Sequence, residues 1–271
     1  MKIQTRNNII TFLMFISMAL LISLGLIYGI ELFQGRISTY PGNPYHFLQD
    51  YALFRLNFYA VVSSIFILAV YVFAFLLYIN ISFEKTRSTE IVYFSLFLIG
   101  CLMEPVRLLF SMLNLWDSCS FIAVAATRTI IFGRMLTPAS LLFSVLYSNF
   151  ESRQYEEQNI LILVAFALGS ALIAPLNSSF ILPTGKVQTG LEGTFFCMRF
   201  LIFVISIIAL TVKCRTSNMS ASIPIGFSLL AIGYLLLTDS INFVQFGIGA
   251  PALWLGTYFY LKGLHSQYLW D

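Results

Sequence analysis

Hydrophobic residues gather in long runs separated by short polar breaks. Eight runs stand out, at 9–32, 57–82, 91–115, 121–148, 160–181, 194–212, 221–238 and 243–263. A membrane-spanning helix needs roughly 20 mostly apolar residues, with a range of about 17 to 25. Each run therefore predicts a spanning helix. The first follows Lys2 and Arg6 as a signal peptide would. Its apolar core is longer than the roughly 7 to 15 residues of such a peptide, and no small-residue cleavage site follows, only Gly29-Ile30-Glu31. It predicts an anchor helix. The last two runs are parted only by Asp239-Ser240-Ile241-Asn242, and Gly247, Gly249 and Pro251 loosen the eighth. A kinked helix or a re-entrant hairpin is the rival to two spans there. The expected fold is all-α: one integral membrane domain over 1–271, with an anchor helix at 1–32 and a seven-helix unit at 57–263.

Composition narrows the class further. Hydrophobic residues make up 59% of the chain and charged residues 10%, against roughly 25% charged in a soluble domain. That leaves too little charge to cover a water-facing surface, which excludes a soluble enzyme. Disorder is excluded because it needs low hydrophobicity and high net charge. The net charge of +3 comes from scattered basic residues with no Lys/Arg run, so no nucleic-acid partner is implied. With the N-terminus in the cytoplasm, eight basic residues fall on the cytoplasmic side and three, Arg36, Arg55 and Lys186, on the outer side. This bias predicts both termini inside. Short loops suit a compact bacterial inner-membrane protein. The two longest, 33–56 and 182–193, are rich in Gly and Pro and too short for a domain with its own core. Trp116, Trp254 and Trp270 read as anchors at the membrane interfaces.

Several chemistries are disfavoured. Cys101, Cys119, Cys197 and Cys214 form no CxxC pair, so no zinc or redox motif is present. Cys119 and Cys197 both fall near the outer face, and their pairing is left open. The two histidines, His46 and His265, lie on opposite sides. They offer neither a metal site nor a catalytic triad within the spans. No phosphate-binding loop occurs, and no lysine lies near mid-membrane to carry a retinal. The sequence implies no cofactor and no metal, and it leans away from an enzyme.

Ionisable residues inside the spans carry the remaining information. Each costs roughly 2.5 to 3.5 kcal/mol at a helix centre on insertion scales. The third span holds Glu104-Pro105-Val106-Arg107, and the fourth holds Arg128 and Arg134. Arg199 and Asp239 lie nearer the outer ends of the sixth and seventh. Glu104 and Arg107, at i and i+3, share a helix face and can pair. Pro105 removes a backbone donor and bends the helix. Folding the tight 116–120 turn sets Glu104 level with residue 132 and Arg107 level with residue 129. Arg128 and Arg134 are six apart, or roughly 240° of turn, so both cannot face the third span. Four arginines against two carboxylates leave two positive charges in excess. Glu104, Arg107, Arg128, Arg134, Arg199 and Asp239 are therefore the candidate ligand-binding set, an outward pocket for an anionic small molecule or lipid head group. The competing reading makes the same residues structural pairs, with Arg128 and Arg199 snorkelling to the interface. Thr137-Pro138 marks a kink in the fourth span, and Gly133 and Gly169 offer close helix approach.

Three function classes survive. A receptor- or sensor-like bundle ranks first; in topology alone the anchor plus seven-helix unit resembles the membrane regions of bacterial seven-helix sensors. It would need a cytoplasmic partner protein reading the loops at 84–90 and 151–159. A transporter of small solutes or lipid ranks second, and a membrane-embedded lipid-modifying enzyme third.

Overall fold

In a computed structural model of the chain, the described residues are 3–35, 37, 57–84, 86, 88–116, 120–147, 156–216 and 220–270, with the side chains of 177–180 and 267–270 left aside. Most of the 33–56 loop, including His46 and Arg55, lies outside them, as do Lys85, Arg87, Cys119 and Arg153. The Cys119–Cys197 pairing left open above and much of the loops at 84–90 and 151–159 therefore fall outside the described residues.

The described residues are 84% helical. Its helices are α1 (Ile3–Phe33), α2 (Phe58–Ser82), α3 (Thr89–Cys101), α4 (Leu108–Met112), α5 (Phe121–Leu146), α6 (Glu156–Ile173), α7 (Glu192–Thr216), α8 (Ser222–Thr238) and α9 (Phe243–Trp270). A 3-10 turn, Glu104–Arg107, joins α3 to α4, and an antiparallel hairpin of β1 (Leu176–Leu182) and β2 (Lys186–Thr189) joins α6 to α7. By length and composition, six segments among the described residues can cross a membrane: α1, α2, the broken α3–α4 segment Thr89–Met112, α5, α6 and α7. This is the architecture of an integral membrane helical bundle. α8 is apolar but has only 17 residues. α9 has 28 residues but is not among the six.

Contacts between helix ends sort the bundle into two ends. At the first, Arg6 donates to the carbonyls of Thr86 (2.6 Å) and Phe83 (2.7 Å), beyond the C-terminus of α2. The Thr89 hydroxyl bonds the Tyr147 carbonyl, Lys213 Nζ lies 3.8 Å from Glu90, and His265 packs on Phe83. At the opposite end the Asn57 amide bonds the Ile241 carbonyl at 2.9 Å. The same opposite end holds the 3-10 turn, the hairpin and Asp239. α1 lies at the periphery against α2. It buries Ile10 and Tyr28 and exposes Phe12, Phe15 and Leu26. Those exposed apolar side chains suit contact with lipid rather than water.

Three expectations change. The fifth run, read as a helix over 160–181, ends at Ile173, because Pro175 halts it and Leu176 enters the hairpin. Apolar Phe180-Ile181-Leu182 extended the hydropathy run through a strand. The last two runs keep their expected separation as two helices, α8 and α9, which lie antiparallel. Gly249, read as loosening the eighth, is a packing residue. Gly226 and Gly233 on α8 face α9, and Gly256 and Gly263 on α9 face α8, with Gly226 against Gly256; each pair is seven residues apart and so on one side of its helix after about two turns. A Cβ at Gly233 would sit 2.3 Å from the Leu253 amide nitrogen, and one at Gly256 2.3 Å from that of Leu230. Finally, Trp254 is no interfacial anchor. It lies mid-helix against Tyr71 and Phe75, with ring centroids 6.0 and 5.5 Å away.

The core is strongly aromatic. Tyr71, Phe94, Phe97, Phe203, Tyr234 and Tyr260 are fully buried among α2, α3, α7, α8 and α9. Tyr234 packs on Phe97 and Phe203 at 5.7 and 6.0 Å, and Phe94 meets Tyr260 at 5.9 Å. Below the polar end, this layer fills the middle of the bundle.

Candidate functional site

The break after α3 positions Glu104. Pro105 has no amide hydrogen, so the α-helix gives way to a 3-10 turn there. The turn keeps Glu104 and Arg107 on one side, with Arg107 Nη1 3.1 Å from Glu104 Oε2. α5 approaches closely because Gly100 and Gly133 meet at the crossing. A Cβ at Gly133 would lie 2.6 Å from the Gly100 carbonyl. Gly133 thus has the expected role, whereas a Cβ at Gly169 would meet nothing within 4 Å. The crossing sets Glu104 beside Arg134, two residues from the level predicted by folding the turn.

Arg134 binds Glu104 with a fork. Its Nε donates to Oε1 at 2.6 Å and its Nη2 to Oε2 at 3.2 Å. Nη2 also donates to the Thr238 carbonyl at 2.6 Å, and Nη1 to Asp239 Oδ1 at 2.8 Å. All three of its nitrogens are therefore engaged. Arg199 Nη2 reaches the other Asp239 oxygen at 3.0 Å. Arg107 adds bonds to the carbonyls of Thr238 (3.1 Å) and Thr184 (2.6 Å). The Thr238 carbonyl is free for this because α8 ends there. One continuous chain of charge thus runs Arg107, Glu104, Arg134, Asp239, Arg199. Pro138 is accommodated on the deeper side. It lacks the amide that would bond the Arg134 carbonyl, and the Thr137 hydroxyl takes that place at 3.3 Å while also bonding Tyr234 at 2.7 Å.

The hairpin closes this end of the bundle. Its Pro183-Thr184-Gly185 turn lies on Arg107, and Gly185 has φ +73°, a conformation that glycine adopts without penalty. A Cβ at Gly185 would also sit 2.9 Å from the Arg107 carbonyl. The Val187 amide donates to the Thr127 hydroxyl at 2.9 Å. Lys186 Nζ forms an ion pair with Glu192 at the start of α7. Burial pushes the Lys186 ammonium down to about 8, with Arg134 adding to the effect and Glu192 opposing it. Burial alone would raise the Asp239 carboxyl; Arg134 and Arg199 outweigh it and hold the group well below the usual carboxylate range.

Of the six residues selected from the sequence, five converge: Glu104, Arg107, Arg134, Arg199 and Asp239. Arg128 does not join them and is corrected here. It is exposed on α5, because the roughly 240° between it and Arg134 turns it away when Arg134 faces Glu104. Lys186 and Glu192 were missed as members. They lie in or beside a stretch that reads only as a turn-rich loop, although Pro183-Thr-Gly185 followed by alternating Val187 and Thr189 is a hairpin signal. With them included, four cations (Arg107, Arg134, Lys186, Arg199) face three carboxylates (Glu104, Glu192, Asp239). The surplus falls to one.

Beside the network lies an open cavity of about 290 Å³, lined among others by Thr184, Lys186, Glu192, Phe196, Arg199 and Asp239. Arg199 is 5% exposed. Its Nη1 has no hydrogen-bond partner among the described residues, and neither does Nη2 of Arg107. No family model, no curated protein and no solved structure matches the chain.

Proposed function

We propose that the protein crosses a bacterial inner membrane eight times with both termini in the cytoplasm, and that its outer end is a receptor- or sensor-like site for a small anion or an anionic head group. The observation that carries the site is the buried, unpartnered Arg199 Nη1 at a cleft whose surroundings hold one surplus positive charge. A single carboxylate or phosphate would supply the missing acceptor through charge-assisted hydrogen bonds. The aromatic layer beneath Arg134 favours reception over transport, because it fills the path toward the other end. Its readout would pass to a partner protein at the cytoplasmic loops.

The eight-span topology is supported by the antiparallel sequence of helix ends and by the basic bias. Reporter fusions after Asp271 and within 40–50 test it. A C-terminal reporter active only in the cytoplasm and a 40–50 reporter active only outside are expected. Any other pairing overturns the scheme.

Binding is tested on the full chain by titration calorimetry, using inorganic phosphate and acetate as probes. The parent should bind at least one of them. Arg199→Gln should weaken binding about ten- to a hundredfold, the worth of a hydrogen bond to a charged group. Affinity should fall as pH rises through about 8, where Lys186 loses its proton. Lys186→Gln should remove that pH dependence. Failure of the parent to bind either anion, or equal binding by Arg199→Gln, overturns the reading.

A further inference from the structure

A second site lies at the opposite end of the bundle, between α7 and α8. These helices are joined by a short link but diverge, whereas α8 packs along α9 through its glycines. The divergence leaves an open groove of about 750 Å³. Its walls include Thr211, Pro224, Ile225, Ser228, Leu229 and Ile232. The hydroxyls of Thr211 and Ser228 turn back to the carbonyls of Ile207 and Pro224 in their own helices. They present no free polar group, so the groove surface is effectively apolar. Exposed Arg215 lines it at the helix end. No ion pair to Arg215 is found among the described residues, while its neighbour Lys213 pairs with Glu90.

The length of the groove identifies what fits it. From Ala221 to Ile232, α8 rises about 16 Å at about 1.5 Å per residue. That is close to half of a hydrocarbon core of about 30 Å. A groove of that length, opening at the helix ends, matches the depth of one leaflet. An arginine at its surface end and apolar walls below match a molecule with an anionic head and a hydrocarbon tail. We infer that the α7–α8 groove binds one acyl chain of an anionic phospholipid of the cytoplasmic leaflet, with the lipid phosphate on Arg215. This site is independent of the anion cleft; it rests on the chain being embedded in a bilayer, and its assignment to the cytoplasmic leaflet rests on the proposed topology.

Nanodiscs made with equal amounts of phosphatidylglycerol and phosphatidylcholine provide the test. The full chain is released from them and its retained lipids are weighed by native mass spectrometry. The parent should retain phosphatidylglycerol in preference by about fivefold, which is what one basic residue near a membrane surface provides. Arg215→Gln, on an exposed position, should keep the lipid adduct but lose the preference. Ser228→Trp should fill the groove and remove the adduct of either lipid. The inference is overturned if the parent retains the two lipids equally or retains neither. It is also overturned if Arg215→Gln keeps the preference, or if folded Ser228→Trp still carries the adduct.

Discussion

Glu104→Gln should melt far below the parent in detergent, with an expected loss on the order of 3 to 5 kcal/mol. The magnitude follows from what the glutamate holds. It is 1% exposed and accepts from Arg107 once and Arg134 twice. Glutamine keeps the shape but removes the charge, and its amide group meets a guanidinium donor to donor. Two buried arginines then retain one neutral glutamine oxygen, Asp239 and main-chain carbonyls as acceptors, with one carboxylate charge lost. Denaturant or thermal unfolding in a fixed detergent measures the loss. A variant as stable as the parent would mean that water already screens the pair. The result also bears on Arg134. A fully engaged guanidinium is a strut of the fold, so Arg134→Ala should harm folding as severely; in the proposed anion site, recognition would fall to Arg199 and Lys186.

Gly256→Leu should separate α8 from α9. The added Cβ would lie 2.3 Å from the Leu230 nitrogen and 2.7 Å from the Gly226 carbonyl. Both are backbone atoms, which no rotamer change can move. Relief requires the helices to part along their length, and that also loosens Gly233 against Leu253 and the buried Tyr260. Overpacking costs about 1 to 3 kcal/mol where side chains can adjust, and the effect here should reach or exceed the upper figure. Gly247→Leu, where nothing lies within 4 Å of the added Cβ, is the matched control and should melt like the parent. Equal melting of the two leucine variants would show that the glycine contact carries no packing energy.

Hydrophobic patterning reveals most of the helices because lipid and protein interiors both demand apolar side chains over a full helix length. The same signal fails at 174–182, where a short apolar strand is indistinguishable from the end of a helix. It also fails to separate a glycine that loosens a helix from one that lets another backbone approach. Gly247 and Gly249 are two residues apart and look alike in the sequence. Yet a Cβ at Gly249 would press within 3.1 Å of Leu236 and Leu237, and one at Gly247 would meet nothing.

The candidate site divides along the same line. Glu104, Arg107 and Arg134 are legible because a charge in an apolar run is costly and must find a partner. Their spacing also excluded a shared partner for Arg128 and Arg134, without telling which of the two would turn inward. Lys186 and Glu192 carry no such mark, since a lysine in a polar loop has no need of explanation. What the sequence by itself determined was the membrane class, the helical architecture and the demand for a charge-compensated cluster, all of which follow from local hydropathy and charge. Only the tertiary structure decided that Arg128 stays outside, that a hairpin folds back over Arg107, and that Arg199, which lines a cleft, keeps one buried guanidinium nitrogen without a partner among the described residues. Those outcomes depend on which helix faces meet, and that is set by contacts between residues such as Gly100 and Gly133, or Arg134 and Asp239, far apart in the chain.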